Sequence, residues 1–148
     1  VKPIIDYVNS LGIKTLENEN VYIGPKDNGF YLCGVYDRFG NRYGAYKPDI
    51  NKALENTNTH PTVLLAHQPK FIEEIENTVG IDLILCGHTH GGQIFPFNFL
   101  VKLQQPYVRG LNTHNEFTQV YVNKGTGFWG PPMRLGASSE ITFLKLSS

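Results

Sequence analysis

Ile81-Asp82-Leu83-Ile84-Leu85-Cys86-Gly87-His88-Thr89-His90-Gly91-Gly92-Gln93 is the stretch whose reading decides the fold of this chain. Its first six residues form an apolar run with the length of a short buried strand. The run ends in a glycine-rich turn holding two imidazoles two residues apart, His88 and His90. Glycine permits unusual backbone angles there and removes side chains that would block a metal or a substrate. Upstream, Thr62-Val63-Leu64-Leu65-Ala66 is a second apolar run that ends the same way, at His67. Between the two, Pro69 stands at a first-turn helix position, and Phe71, Ile72, Ile75 and Val79 recur at helical spacing before Gly80. Strand, helix and strand with short connections predict a crossover with parallel strands. Parallel strands point their C-terminal ends the same way, and ligands gather at such ends in open α/β sheets. His67, His88 and His90 are therefore expected to meet at one edge of one sheet.

Working outward, Ile4, Ile5, Val8 and Leu11 predict an amphipathic helix over residues 3–11, stopped by Gly12. Val21–Ile23 and Phe30–Val35 read as strands joined by the turn Pro25-Lys26-Asp27-Asn28-Gly29, a hairpin. Residues 36–47, rich in Gly, Tyr and Arg, read as a loop. Pro48-Asp49 opens a short helix through Leu54, with Ile50, Ala53 and Leu54 inward, and residues 56–61 form a polar connector. After the glycine turn, 93–95 allow a short strand and 96–110 read as irregular. Phe117–Val122 and Ile141–Leu146 read as strands. The later strands have no helices between them, so a layered α/β architecture with a partly antiparallel sheet fits best. No repeat, low-complexity tract or interdomain linker is visible, and residues 1–148 read as one domain.

Thirteen basic residues balance thirteen acidic ones, for a formal net charge of zero. That argues against general electrostatic attraction to nucleic acid, which needs a basic face, and leaves room for a local basic pocket. With 41% hydrophobic and 18% charged residues, the chain has the composition of a globular domain. Cys33 and Cys86, each inside an apolar run, lack metal-ligand spacing and read as buried thiols, in keeping with a reducing compartment. No run approaches the roughly 20 apolar residues of a membrane span.

Ala66-His67, Gly87-His88-Thr89-His90 and the extension Gly91-Gly92-Gln93-Ile94 resemble the later motifs of the calcineurin-like metallophosphoesterase family. The extension, with Gly125-Thr126-Gly127, Pro132-Met133-Arg134-Leu135-Gly136 and Glu140-Ile141-Thr142, is similar to a bacterial, membrane-associated subgroup. The resemblance spans about residues 16–146. It implies an αββα sandwich with mixed sheets, present here as an incomplete C-terminal half. It implies a binuclear metal centre of two divalent ions (Mn, Fe, Zn, Ni or Co), with His67 and His88 on one ion and His90 on the other. The activity implied is hydrolysis of phosphomonoesters or phosphodiesters by metal-activated hydroxide, on a phosphorylated small molecule or a lipid-linked substrate. The family's earlier motifs, Asp-x-His, Gly-Asp-x-x-Asp and Gly-Asn-His-Asp/Glu, are absent: Asp6, Asp27, Asp37, Asp49 and Asp82 lack the required neighbours. Catalytic residues are therefore expected in a missing N-terminal half, and this chain alone is expected to be inactive. The expected location is cytoplasmic or peripheral to a membrane, with any anchor in the missing segment. Self-association through the exposed half-domain surface is a further expectation.

Other readings stand beside this one. The chain could be a non-catalytic metal-binding or interaction module, and a structural zinc domain is disfavoured by the cysteine spacing. His60 and His114, in polar loops, read as surface histidines. Arg134 offers either a planar fork for phosphate or a pairing with Glu140 or a loop cap, and Asn123 lies in the same glycine-rich segment. The apolar stretch Phe95–Val101 reads either as a lipid-recognition surface or, preferentially, as a loop packed onto the sheet.

Overall fold

The computed structural model describes residues 1–57, 59–76 and 80–147. They fall into two compact units, Val1–Leu65 and Ala66–Ser148.

In the first unit, α1 (Lys2–Ser10) begins with Pro3 in its first turn and is followed by Gly12 at φ 81°. Of its expected apolar face only Ile5 is buried, while Ile4 and Leu11 are exposed. The expected hairpin is present: β1 (Glu19–Ile23) pairs antiparallel with β2 (Phe30–Gly34), from Glu19↔Gly34 to Ile23↔Phe30. β2 pairs in parallel with β3 (Thr62–Leu65), Tyr31 opposite Thr62. Loop 36–47 carries a 3-10 turn, Arg38–Arg42, because the Asp37 side chain accepts from the Phe39 amide. Asp49 caps α2 (Ile50–Ala53) by accepting from the Lys52 amide, the usual role of Asp at that position. Buried Asn18 ties these loops together: its Nδ2 donates to Lys47 O, and its Oδ1 accepts from the amides of Tyr36 and Asp49. Cys33, Ala53, Val63 and Leu64 form the core of this unit.

The second unit positions the histidines. Leu83-Ile84-Leu85-Cys86 forms β4, with Ile84 and Cys86 buried. β4 pairs in parallel with β6 (Gln119–Val122), and β6 pairs antiparallel with β5 (Gly110–Thr113). Ala66 and His67 lie alongside the end of β4, with Ala66 N donating to Leu85 O (3.1 Å) and Gly87 N to His67 O (3.0 Å). Asn123 N donates to Cys86 O at the same end. The segments leaving Ala66, Cys86 and Val122 therefore emerge at one edge, as the parallel reading requires. Ile81, Ile84, Val120, Val122, Phe71 and Ile72 fill the core.

The chain is α/β with mixed strand pairing, and four local expectations are corrected. The helix expected from Pro69 is a 3-10 turn, Pro69–Glu74, ended by Ile75 in extended conformation (φ −98°, ψ 126°); Val79 lies outside the described residues, as does Asn58 of the connector. Residues 93–95 form no strand, only isolated bridges from Ile94 to Leu135 and Gly136. The stretch 96–110, read as irregular, contains α3 (Asn98–Gln104) and the first residue of β5 (Gly110–Thr113). Residues 141–146 form no strand. Side chains anchor that segment instead: the Tyr121 hydroxyl and Asn123 Nδ2 bond Thr142, and Lys124 pairs with Glu140 at 3.1 Å. Ile141 and Phe143 are left 91% exposed, because no ladder partner lies beside them among the described residues.

Candidate metal centre

The turn after β4 is held in a conformation that side chains seldom adopt. His88, His90 and Gln93 have φ of 67°, 50° and 42°, and Gly91 and Gly92 have φ of 67° and 86°. The left-handed positions thus fall on the histidines as well as the glycines, each non-glycine instance costing on the order of 1–3 kcal/mol. The glycines are needed for space too. A Cβ on Gly92 would stand 2.5 Å from Asn98 Cβ, and one on Gly91 would stand 2.7 Å from Lys124 Cγ. Thr89, buried under the turn, accepts from Gly91 N and donates to Val108 O at 2.7 Å.

His67 Nε2 and His88 Nδ1 lie 3.2 Å apart, with ring centroids 5.0 Å apart and planes at 74°. Two imidazole nitrogens each about 2.0–2.1 Å from one ion would be about 2.8–3.4 Å apart for angles of roughly 90–109°. The observed separation falls inside that interval, so this pair fits two nitrogen ligands of one divalent ion. Neutral imidazole suits Zn, Cu, Fe or Ni.

His90 lines the same cavity of about 410 Å³ as His67 and His88, together with Phe97, Leu100 and Trp129. It is held separately. Its Nδ1 stands 3.3 Å from both Gly127 O and Arg134 Nη2. Donation from Nδ1–H to Gly127 O would leave Nε2 with the free lone pair, the arrangement usual for a metal-binding imidazole. Among the described residues, no three His, Cys, Asp or Glu side chains already surround one point, and no carboxylate lines the cavity.

Arg134 takes up the loop-capping alternative. Its guanidinium donates to the carbonyls of His90, Lys124, Gly125, Gly127 and Ala137, while Glu140 goes to Tyr121, Lys124 and Thr142. Tyr121 holds the Glu140 carboxyl below the usual carboxylate range, with smaller help from Thr142 and Lys124. Asn123 is structural, its Oδ1 accepting from Gly125 N. His60 and His114 are half-buried rather than surface residues. His60 packs edge-on to Tyr22 at 5.1 Å, and His114 Nδ1 meets the Tyr107 hydroxyl at 3.0 Å.

Sequence reading had no role for Gln93, which is fully buried. Its Nε2 donates to Trp129 O and its Oε1 accepts from Trp129 N, both at 2.7 Å. This clamp joins residues 36 apart in the chain. The only local sign was a lone polar residue between a glycine pair and an apolar run.

As a class, imidazoles gathered at parallel strand ends in an α/β unit define a nitrogen-rich, metal-competent edge. Comparison with known proteins narrows the class. The chain is 48% identical over 147 residues to a protein of Helicobacter pylori called an uncharacterized metallophosphoesterase, covering 99% of this chain and 39% of that protein. It is 44% identical to a Bos taurus protein called a transmembrane protein with metallophosphoesterase domain, over 94% of this chain and 34% of the relative. A metallophosphoesterase of Aquifex aeolicus is 32% identical over 96% of this chain and 54% of its own length. The chain belongs to the metallophosphoesterase family, and spans well under half the length of the first two relatives. No family model matches it, and no solved structure matches it.

Proposed function

We propose that this chain carries part of the metal site of a metal-dependent phosphoester hydrolase, with His67, His88 and His90 as ligands of a two-ion centre. The observation that carries the reading is the 3.2 Å approach of His67 Nε2 to His88 Nδ1 in a cavity that His90 also lines. The names of the relatives support the same chemistry. Divalent ions there would supply Lewis acidity and make water acidic enough to attack phosphorus near neutral pH. The chain's own part is to hold and orient. His67 and His88 present ring lone pairs rather than moving protons. Arg134 and Gly127 fix the ring of His90. Phe97, Leu100 and Trp129 keep one wall of the cavity apolar and limit water. With no carboxylate in the cavity, the remaining ligands and the proton-transferring groups come from the rest of the polypeptide, and residues 1–148 alone hydrolyse little or nothing. The substrate is a phosphorylated small molecule or a lipid-linked phosphate. No helix among the described residues is long and apolar enough to cross a membrane. The transmembrane relatives favour a location at a membrane over a purely cytoplasmic one.

A specific observation favours a second reading. The absence of a ready three-ligand group among the described residues is also what a non-catalytic metal-binding or interaction module would show. One assay separates the two: the complete polypeptide with Mn²⁺ and a chromogenic phosphodiester, comparing folded His88→Ala with folded His60→Ala. Loss of more than about 100-fold in His88→Ala is expected, beyond the 10–100-fold typical of groups that only orient a ligand, with His60→Ala near the parent. Equal activity in the two variants would remove His88 from the site and favour the module.

A further inference from the structure

We infer that α3 and the segment leading into it form a docking face for an anionic phospholipid bilayer. The docking stands apart from the hydrolase reading; only its corollary, that the substrate is a phosphorylated lipid, rests on it. Phe95–Val101 was expected to pack onto the sheet, and it does not. Phe95, Phe97, Phe99 and Leu100 are more than half exposed, and Leu103 is 82% exposed. Phe99 and Leu103 are four residues apart and so share one side of α3, and the Phe95 ring meets Phe99 at 6.0 Å. These residues make an outward apolar stripe.

Charge selects the occupant. The whole chain is neutral, yet no Asp or Glu occurs between Asp82 and Glu116, whereas Lys102 and Arg109 do. Those two cations line a cavity of about 470 Å³ with Asn98 and Asn112, a setting with donors and no carboxylate that suits a lipid phosphate. An apolar stripe flanked by basic residues is the pattern of a helix lying in a membrane interface. Among the described residues no Asp or Glu lines that cavity, so what it offers an occupant is cations and neutral donors, which an anionic headgroup matches. Leu100 and Val101 of the same helix line the histidine cavity. A bilayer that receives Phe99 and Leu103 would therefore bring its headgroups to the mouth of that cavity, where a phosphorylated lipid reaches the imidazoles without leaving the membrane surface.

The test uses the complete polypeptide, kept metal-free with EDTA so that hydrolysis plays no part. An environment-sensitive dye is placed at Leu103→Cys or, as the control, at Ile13→Cys, another exposed apolar position. Cys33 and Cys86 are buried and stay unlabelled. Vesicles are phosphatidylcholine with or without phosphatidylglycerol, each also carrying lipid-attached quenchers. The expected result is a blue shift and lipid quenching of the dye at position 103 with the anionic vesicles, and an aqueous dye at position 13. Replacing Lys102 and Arg109 by Gln should weaken the response about fivefold per charge, from roughly 1 kcal/mol each near an anionic surface. A dye at 103 that stays aqueous, responds no more than the one at 13, or is apolar without vesicles and untouched by lipid quenchers overturns the proposal. The last of these would mean that protein covers the stripe. An inactive His88→Ala protein that still docks leaves the inference standing, whereas an active enzyme that fails to dock ends it.

Discussion

Left-handed backbone at His88, His90 and Gln93 persists because neighbours hold it from several directions. Gly92 is the tightest of them, since any side chain there meets both a positive φ and the backbone of Asn98. Gly92→Ala should lower unfolding free energy by about 2–4 kcal/mol, combining backbone strain with overpacking; urea denaturation measures it, and a loss under about 1 kcal/mol would show that the turn can relax. Arg134 acts on His90 through backbone carbonyls, that of His90 itself and that of Gly127, which faces the ring. Lysine keeps the charge but lacks the planar fork, so Arg134→Lys should weaken Co²⁺ binding by about 10–100-fold in a protein that remains folded. Unchanged affinity in a spectroscopic titration would make Arg134 a loop cap only. The approach of His67 to His88 was legible because each follows an apolar run, and a strand's end has a predictable place. The roles of Arg134 and Gln93 were not, because their partners lie up to 44 and 38 residues away in the chain and leave no periodic trace.

Elements with a strong local pattern matched the sequence, and those set by tertiary context did not. The hairpin followed from Asp27-Asn28-Gly29 between two apolar runs, and β4 from its unbroken apolar residues. α3 was missed because it is short, has no side-chain cap and keeps its apolar residues exposed, so nothing in its sequence separates it from a loop. Residues 141–146 show the converse: alternation predicts a strand, but a strand also needs a neighbour to complete its hydrogen bonds. What fixes that segment is Glu140, whose carboxyl is held below 4.5 first by the Tyr121 hydroxyl. A depressed folded pKa gives stability that is fully present above the unfolded value and is lost as pH falls through the folded one. The urea midpoint should therefore drop below about pH 4.5, and Glu140→Gln should flatten that acid limb while lowering the midpoint at neutral pH. An acid limb unchanged by the substitution would assign the pH dependence to other carboxylates.

Across the whole molecule, apolar surface is unevenly used. Each unit has its own buried centre, yet Ile4, Leu103, Phe117, Ile141 and Phe143 remain in contact with solvent. Burial also raises the thiol pKa of Cys33 to about 11 and of Cys86 to about 12, so each stays a protonated thiol near neutral pH. The Gln93 clamp has one more consequence, an optical one. Trp129 is the chain's only tryptophan, its backbone is pinned to the glycine turn, and it shares a cavity wall with His67 and His88. Its fluorescence is therefore a built-in gauge of what the imidazoles hold. Paramagnetic Cu²⁺ or Co²⁺ should dim the emission at stoichiometric amounts, while Mg²⁺, which prefers oxygen ligands and keeps its waters, should leave it bright. His88→Ala should abolish the dimming; quenching that survives the substitution would mean the ions settle elsewhere. With no label and no substrate, one emission band reports whether the turn after β4 has captured a metal.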